Sequence, residues 1–502
     1  MKSYTKPVIS FVAALVFCVS SNAQEENPFF SRDFWNEKPS TKIVQQKIEE
    51  GHSLTEVSSR GLDALQNAIL YANDLETTKL LIENGANIHK KIKRGGRTAA
   101  FWSVYKDNFE ILSYLLSKGV KADLKDDRGN SLIMYAASSG ASDKRIYDLL
   151  LEKGATLKNV VDKNNRNAIL LYAGRIKNME MVDYFLSKGL SIHSVDKDGN
   201  GLFHYVARSK NKKFLEGLIK RGVSYEPNAK TGDNAFTFAV KRNRNGSVLS
   251  LELLQYLESL GLDPKAIAKV GTTSLNTVAY SEKNIEIFKY FVKKGVDPNA
   301  KDKNGNTAFM RAAFRNNKEV VSYLLGLTKD INQQNHEGYT AVLNAVRRNS
   351  PGVVEFLLKK GADLNQKDQK GNDIGCLLVD GYRRDLSIFR EKMEILKKHG
   401  YNPKKAKVQN GNSLLQVAIR NGRTELVKEI VSMQIPLNNK NNEGYTPLHV
   451  AAMTAKNDVI IKNLLEAGAD KSIKTEFGET VFDLAFENEV LKGKNIDVTY
   501  LK

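Results

Sequence analysis

Residues 444–470 read GYTPLHVAAMTAKNDVIIKNLLEAGAD. Two apolar runs of helical spacing sit between turn residues. Thr446 predicts a hydroxyl cap on the first helix, and Pro447 suits the first turn, where no N–H partner is needed. Leu448 and the Ala451-Ala452 pair face inward, and the alanines let neighbouring helices approach closely. Val459, Ile460, Leu464 and Leu465 form the apolar stripe of a second helix. Gly468 ends that helix in the left-handed conformation that glycine adopts cheaply, and Asp470 begins a turn outward.

The phrase recurs in weaker copies about every 33 residues. Its leading glycine returns at Gly61, Gly96, Gly129, Gly199, Gly232, Gly271, Gly305, Gly338, Gly371, Gly411, Gly444 and Gly478, with Asn165 in the one missing place. Its closing glycine returns at Gly51, Gly85, Gly119, Gly154, Gly189, Gly222, Gly261, Gly295, Gly361, Gly400 and Gly468; Thr328 and Gln434 fill the gaps and predict strain or a different helix end. A period of about 33 around a T-P-L-H-x-A core is the pattern that Thr446-Pro447-Leu448-His449-Val450-Ala451-Ala452 matches best. Thr340-Ala341-Val342-Leu343 and Thr307-Ala308-Phe309-Met310 are degraded copies. The chain therefore resembles the ankyrin-repeat family over roughly residues 34 to 490. The resemblance implies a mainly α fold: a solenoid of stacked helix-turn-helix units joined by β-hairpin-like fingers. One unit buries too little apolar surface to stand alone, so neighbours share a continuous core and the ends need caps.

This reading divides the chain into a segment 1–23, a front segment and capping half-unit over 24–54, about 12 units over 55–477, and a closing cap over 478–502. Two units, 232–261 and 371–400, are about six residues too long. Their extra length is expected between the two helices, as a copied loop insertion or as two matching protrusions. In the first segment, Lys2 and Lys6 precede the apolar run Val8 to Val19, and Ser21-Asn22-Ala23 offers small residues at the cleavage positions. This reads as a secretory signal cut after Ala23, too short to span a membrane. Phe17 before Cys18 disfavours a lipoprotein signal. The short signal and Lys/Asn/Ile-rich usage point to a bacterial exported protein, the periplasm being favoured over the extracellular space.

The chain carries 76 Lys and Arg against 57 Asp and Glu, a formal +19. Losing Lys2 and Lys6 leaves +17, which favours acidic partners or anionic surfaces unless it serves only to solvate. Cys376 is the one cysteine beyond the signal, so no intramolecular disulfide forms. It occupies the place that His449 holds in the best unit, where a small buried residue is the expected reading.

The residue patterns of zinc proteases, serine hydrolases and phosphate-binding loops are all missing, so neither an enzyme nor a cofactor is expected. His204 and His449 share the fourth position of the T-P-L-H phrase, where a histidine makes structural hydrogen bonds between units. Thr446, Pro447, Leu448 and Gly468 are likewise structural.

Binding is expected in the fingers, which the resemblance projects as a row. The most basic is HKKIKRGGR (89–97), with Lys90, Lys91, Lys93, Arg94 and Arg97 and no acid. Lys125, Arg128, Lys197, Lys301, Lys303, His336, Lys367 and Lys370 stand in later fingers. Aromatics do not interleave with these cations as stacking platforms would, which disfavours nucleic acid. Three readings follow: a protein–protein interaction scaffold of the cell envelope, a binder of an anionic envelope component such as lipopolysaccharide or an acidic polysaccharide, or an exported effector acting on a host protein.

Overall fold

In the computed structural model, residues 27–92, 95–228, 230–242, 247–406 and 408–502 are described. The expected signal lies outside them, as do Lys93 and Arg94. The described chain is helical, and its extended contacts are limited to isolated bridges in two fingers, Lys125 with Ser131 and Val195 with Gly201. Among the described residues no helix is long and apolar enough to cross a membrane.

Two compact units are present, one formed by residues up to Tyr172 with Ile176–Ser191, the other by Ala173–Arg175 with Ile192–Lys502. Within the first, the first helices Ala64–Tyr71, Ala99–Tyr105 and Leu132–Ser139 pack side by side, and so do the second helices Leu75–Glu83, Phe109–Ser117 and Lys144–Glu152. Within the second, Ala308–Arg315, Ala341–Arg348, Ile374–Asp380, Leu414–Arg420, Pro447–Thr454 and Val481–Glu487 repeat the arrangement. Leu448, Ala451 and Ala452 are buried, as are Ile460 and Leu464. Val459, read as part of the stripe, is 42% exposed, because it opens its helix at the rim.

The front of the chain is fuller than a half-unit. Ser40 caps Thr41–Glu49, its hydroxyl accepting from the Ile43 N–H. An abbreviated first helix, Arg32–Asn36, also seats Trp35 against Phe29, with ring centroids 5.6 Å apart. The indole donates to the Phe29 carbonyl at 2.9 Å, and Asn67 donates to the same carbonyl at 3.2 Å. Two large apolar side chains thus close an end that a single amphipathic helix would leave open.

Asparagines tie consecutive units together. The side-chain amide of Asn316 donates to the carbonyls of Ala279 and Glu282, that of Asn349 to Ala313 and Asn316, and that of Asn488 to Ala452 and Ala455. Each satisfies carbonyls that the preceding first helix leaves without a partner at its C-terminal end. One period after Asn349 stands Tyr382, which cannot do this. There Lys392 reaches over from the second helix and donates to the Val346 carbonyl at 2.8 Å.

The two long units differ from one another. After Ala235–Ala239 the next helix begins at Leu251, and 243–246 between them lie outside the described residues. After Ile374–Asp380 the link is only 381–385, and the helix Leu386–Lys398 runs to 13 residues where Pro351–Lys359 has 9. Phe389, Met393 and Leu396 continue an apolar stripe, so four of the surplus residues of this unit pack as helix.

The two breaks in the closing-glycine series resolve differently. Gln434 keeps the left-handed conformation, at φ 56°. At Thr328 the helix Lys318–Leu325 ends through Gly326 in ordinary right-handed geometry, and the Thr328 hydroxyl donates to the Leu324 carbonyl at 2.8 Å.

Candidate functional site

Several fingers are pinned by one inward acid or amide. Asp302 Oδ1 accepts from the backbone N–H groups of Asn304 and Asn306 at 2.8 and 2.9 Å, and Asp368 Oδ1 from those of Lys370 and Asn372, both at 2.9 Å. Asn335 does the same for Glu337 and Tyr339, and Asp126 for Arg128 and Asn130. An Asx side chain folding its own loop in this way stabilises a turn.

Neighbouring fingers are also joined through their main chains. His336 N–H donates to the Asn304 carbonyl and Gln369 N–H to the Glu337 carbonyl, both at 2.9 Å. Asp127 N–H donates to the Gly95 carbonyl at 3.1 Å. Asn335 adds a side-chain rung to Asn306 at 2.8 Å. The leading glycines permit this closeness. A Cβ on Gly338 would lie 2.6 Å from the Gln369 nitrogen, and Gly338 itself has φ 81°.

This construction sorts charge by depth. Asp126, Asp196, Asp302 and Asp368 are buried, while the flanking Lys125, Arg128, Lys197, Lys301, Lys303, Lys367 and Lys370 are exposed. The acids are occupied internally. Burial alone would raise the Asp302 carboxyl, but Arg311 and the Asn306 and Asn304 N–H groups hold it below the usual carboxylate range. The same balance, with the Tyr205 hydroxyl as the leading hydrogen-bond donor at 2.7 Å, lowers Asp196. Among the described residues none of those seven cations has a carboxylate partner. A finger such as AKDKNGN (300–306) therefore presents two lysines at its tip while its aspartate points inward. His336 is exposed beside them and packs against Gly305 of the preceding finger.

In the finger that is most basic in sequence, the three described cations are engaged or stand beside an acid. Arg97 Nε lies 3.3 Å from Asp126, and its guanidinium lies 4.4 Å from the centre of the Tyr135 ring. Lys90 is half-buried and donates to the Thr55 carbonyl at 3.1 Å. Lys91 is exposed with Asp127 at 4.0 Å. The acids absent from 89–97 are thus supplied by the next finger, which a reading confined to one finger cannot show.

The structural histidines divide. His449 completes a capping box: its Nδ1 accepts from the Thr446 N–H at 3.1 Å while the Thr446 hydroxyl accepts from the His449 N–H at 3.3 Å. Its ring reaches the Ile473 backbone of the following finger without a fully formed hydrogen bond, and burial lowers its pKa against that contact. His204 lacks the box because Gly201 stands where a capping hydroxyl is needed. Its ring nitrogens complete no hydrogen bond, although it faces the Asp233 backbone and stacks edge-on against Phe238, centroids 5.5 Å apart. Cys376 is buried 3.4 Å from Asn372 Oδ1, and burial pushes its thiol well up, away from the reactive thiolate.

Sequence reasoning missed Arg347, Arg348, Arg383 and Lys392, which line one cleft in the second long unit. The doublets Arg347-Arg348 and Arg383-Arg384, in consecutive units, were the available signal.

A family model described as "Ankyrin repeats (3 copies)" matches residues 36–126, 65–167, 111–196, 275–368 and 388–475, together more than half of the chain. The segments left between them, 197–274 and 369–387, include the links of both long units. Among curated proteins, phosphocholine transferase AnkX of Legionella pneumophila is 28% identical over 127 residues, 25% of this chain and 13% of that protein. The nuclear factor NF-kappa-B p105 subunit of Rattus norvegicus is 36% identical over 83 residues, 15% of this chain and 8% of that protein. The chain thus spans only a small part of these relatives. The crystal structure of the human ASB11 ankyrin repeat domain aligns at a TM-score of 0.37 and 23% identity, over 44% of this chain and 96% of that domain.

Proposed function

This chain belongs to the ankyrin-repeat family, and from that premise we propose that it is a non-enzymatic protein–protein interaction scaffold of a bacterial cell envelope, exported to the periplasm. The observation that carries the binding reading is the sorting of charge in the fingers: Asp302 and Asp368 buried, and Lys301, Lys303, Lys367 and Lys370 exposed and, among the described residues, without carboxylate partners. A row of cations held on pinned loops loses little freedom when a partner docks, which favours affinity. The complementary partner is a protein with an acidic face. The export part of the proposal rests on the residues before Gln24 alone.

Crosslinking and mass spectrometry on a tagged full-length copy in its native cell, beside a Lys301→Glu/Lys303→Glu/Lys367→Glu/Lys370→Glu variant, tests it. The proposal expects a recurrent partner lost in the variant, with crosslinks on residues 300–306, 333–339 and 366–372. Partners retained by the variant, or crosslinks confined elsewhere, overturn it. Fractionation of the same cells tests the periplasmic assignment, which recovery in the cytoplasm would end.

The same unpaired cations favour a second reading, an anionic envelope component such as lipopolysaccharide or an acidic polysaccharide. Binding of that kind falls steeply as salt is added. Retention on purified lipopolysaccharide that is insensitive to salt, or unchanged in the variant, excludes it.

A further inference from the structure

We propose that the cleft between the C-terminal end of helix Ala341–Arg348 and the long helix Leu386–Lys398 is a binding site for a phosphate monoester bearing a small apolar substituent. In the preceding unit the two helices are separated by two residues, Asn349 and Ser350. In the unit opened by Gly371 the link is 381–385, and the second helix is four residues longer than the nine of Pro351–Lys359. The result is a cleft of about 290 Å³ lined by Arg347, Arg348, Tyr382, Arg383, Phe389 and Lys392.

Its charge is unbalanced. Lys392 is only 4% exposed, yet among the described residues no carboxylate is paired with it. Its ammonium donates to the Val346 carbonyl, which uses one of three donors. Burial first, then the nearby Arg383 and Arg348, disfavour its charge. Burial, Arg383 and Arg347 act on Arg348 in the same sense. Arg347 stacks on Tyr339, 4.7 Å from the ring centre, and leaves a buried Nε without an acceptor. Asp385 lines the cleft, but its carboxylate is spent on the start of its own helix, accepting from the Ser387 N–H and hydroxyl and the Ile388 N–H.

Arg348, Arg383 and Lys392, with Arg347 beside them, outnumber the one carboxylate in the lining, that of Asp385, and suit a dianion. Guanidinium groups present paired N–H donors that fit phosphate oxygens, and such charge-assisted bonds are strong. Val346, Leu378, Phe389 and the partly exposed Ile388 give the wall an apolar part, beside the polar Asn349 and Ser350. The volume lies at the small end of ligand pockets and admits a phosphate with a group of the size of a phenyl ring. The site is separate from the fingers and stands or falls without them.

Titration calorimetry of the full chain with phenyl phosphate, in phosphate-free buffer, tests the assignment, with inorganic phosphate and phenol as comparators. Saturable one-to-one binding with a Kd of about 1 mM or tighter is expected, at least about tenfold weaker for inorganic phosphate and absent for phenol. The double variant Arg348→Ala/Arg383→Ala should weaken binding by about tenfold or more, and Lys359→Ala should leave it unchanged. Sedimentation with phosphatidylcholine vesicles, with and without phosphatidate, separates the two sources of this chemistry. Retention only with phosphatidate identifies a lipid headgroup, and binding of the soluble ester alone identifies a free metabolite. No saturable binding of phenyl phosphate, equal binding of phenol, or wild-type affinity in a folded double variant overturns the proposal.

Discussion

The side-chain amide of Asn349 lies 2.9 Å from the main-chain carbonyl of Asn316, the residue one period earlier, and 2.9 Å from the Ala313 carbonyl. Asn316 in turn holds the carbonyls of Ala279 and Glu282. These two units therefore each seal the open helix end of the one before. Asn349→Ala strips the Ala313 and Asn316 carbonyls of these donors and should cost about 1–3 kcal/mol. Hydrogen exchange checks this, since the loss should appear first in the last turn of Ala308–Arg315 and not at the chain ends.

Lys392 does the same work at a charge penalty. Its pKa is brought down to about 8 from 10.5, chiefly by burial and then by Arg383 and Arg348. The unfolded chain therefore holds the proton in a range where the folded chain has released it. Stability should rise as pH increases from about 8 to 10.5, by roughly 3 kcal/mol at most. Lys392→Met should flatten that rise. Denaturant midpoints of both proteins at intervals across this window, in phosphate-free buffer, measure it; parallel profiles would contradict the assignment.

Gln434 is a side-chain-bearing residue in a place built for glycine, at φ 56°. Gln434→Gly should stabilise the chain by about 1 kcal/mol by removing left-handed strain, offset in part by the greater freedom of glycine in the unfolded chain. Thr328→Gly relieves nothing of this kind, because that helix ends in right-handed geometry. Thermal unfolding of the two variants should shift in opposite directions.

Gly361 and Gly338 separate conformational strain from collision. Both have positive φ, but a Cβ on Gly361 meets nothing within 4 Å, while one on Gly338 meets the Asp368 and Gln369 backbone below 3 Å. Gly361→Ala should cost about 1–2 kcal/mol. Gly338→Ala should cost more by about 1–3 kcal/mol and should abolish amide protection at Gln369, the donor of the finger rung.

The architecture was legible because its determinants are local. The two glycine series, the capping Thr446 and the stripe through Ile460 and Leu464 each act within a few residues of themselves. What escaped the sequence depends on neighbours about one period away. Arg97 looked free until the next finger supplied Asp126. The inward turn of Asp302 between two outward lysines required the finger to be folded. The long unit at 371–400 read as a loop because spacing counts residues without saying whether the surplus continues a helix; Met393 and Leu396 decide that by burial. Lys392, on the polar side of no obvious pattern, reaches back 46 residues to its acceptor.

The rungs that join the fingers at His336–Asn304 and Gln369–Glu337 use only main-chain atoms. Their pitch is thus indifferent to what side chains occupy those positions, with proline the exception because it has no N–H to give. Across 300–306, 333–339 and 366–372 the chain behaves as a rack of fixed tooth spacing and interchangeable teeth. Specificity can be rewritten at one tooth while the distance to the next stays the same, which makes this row a practical frame for grafting recognition residues at a known interval.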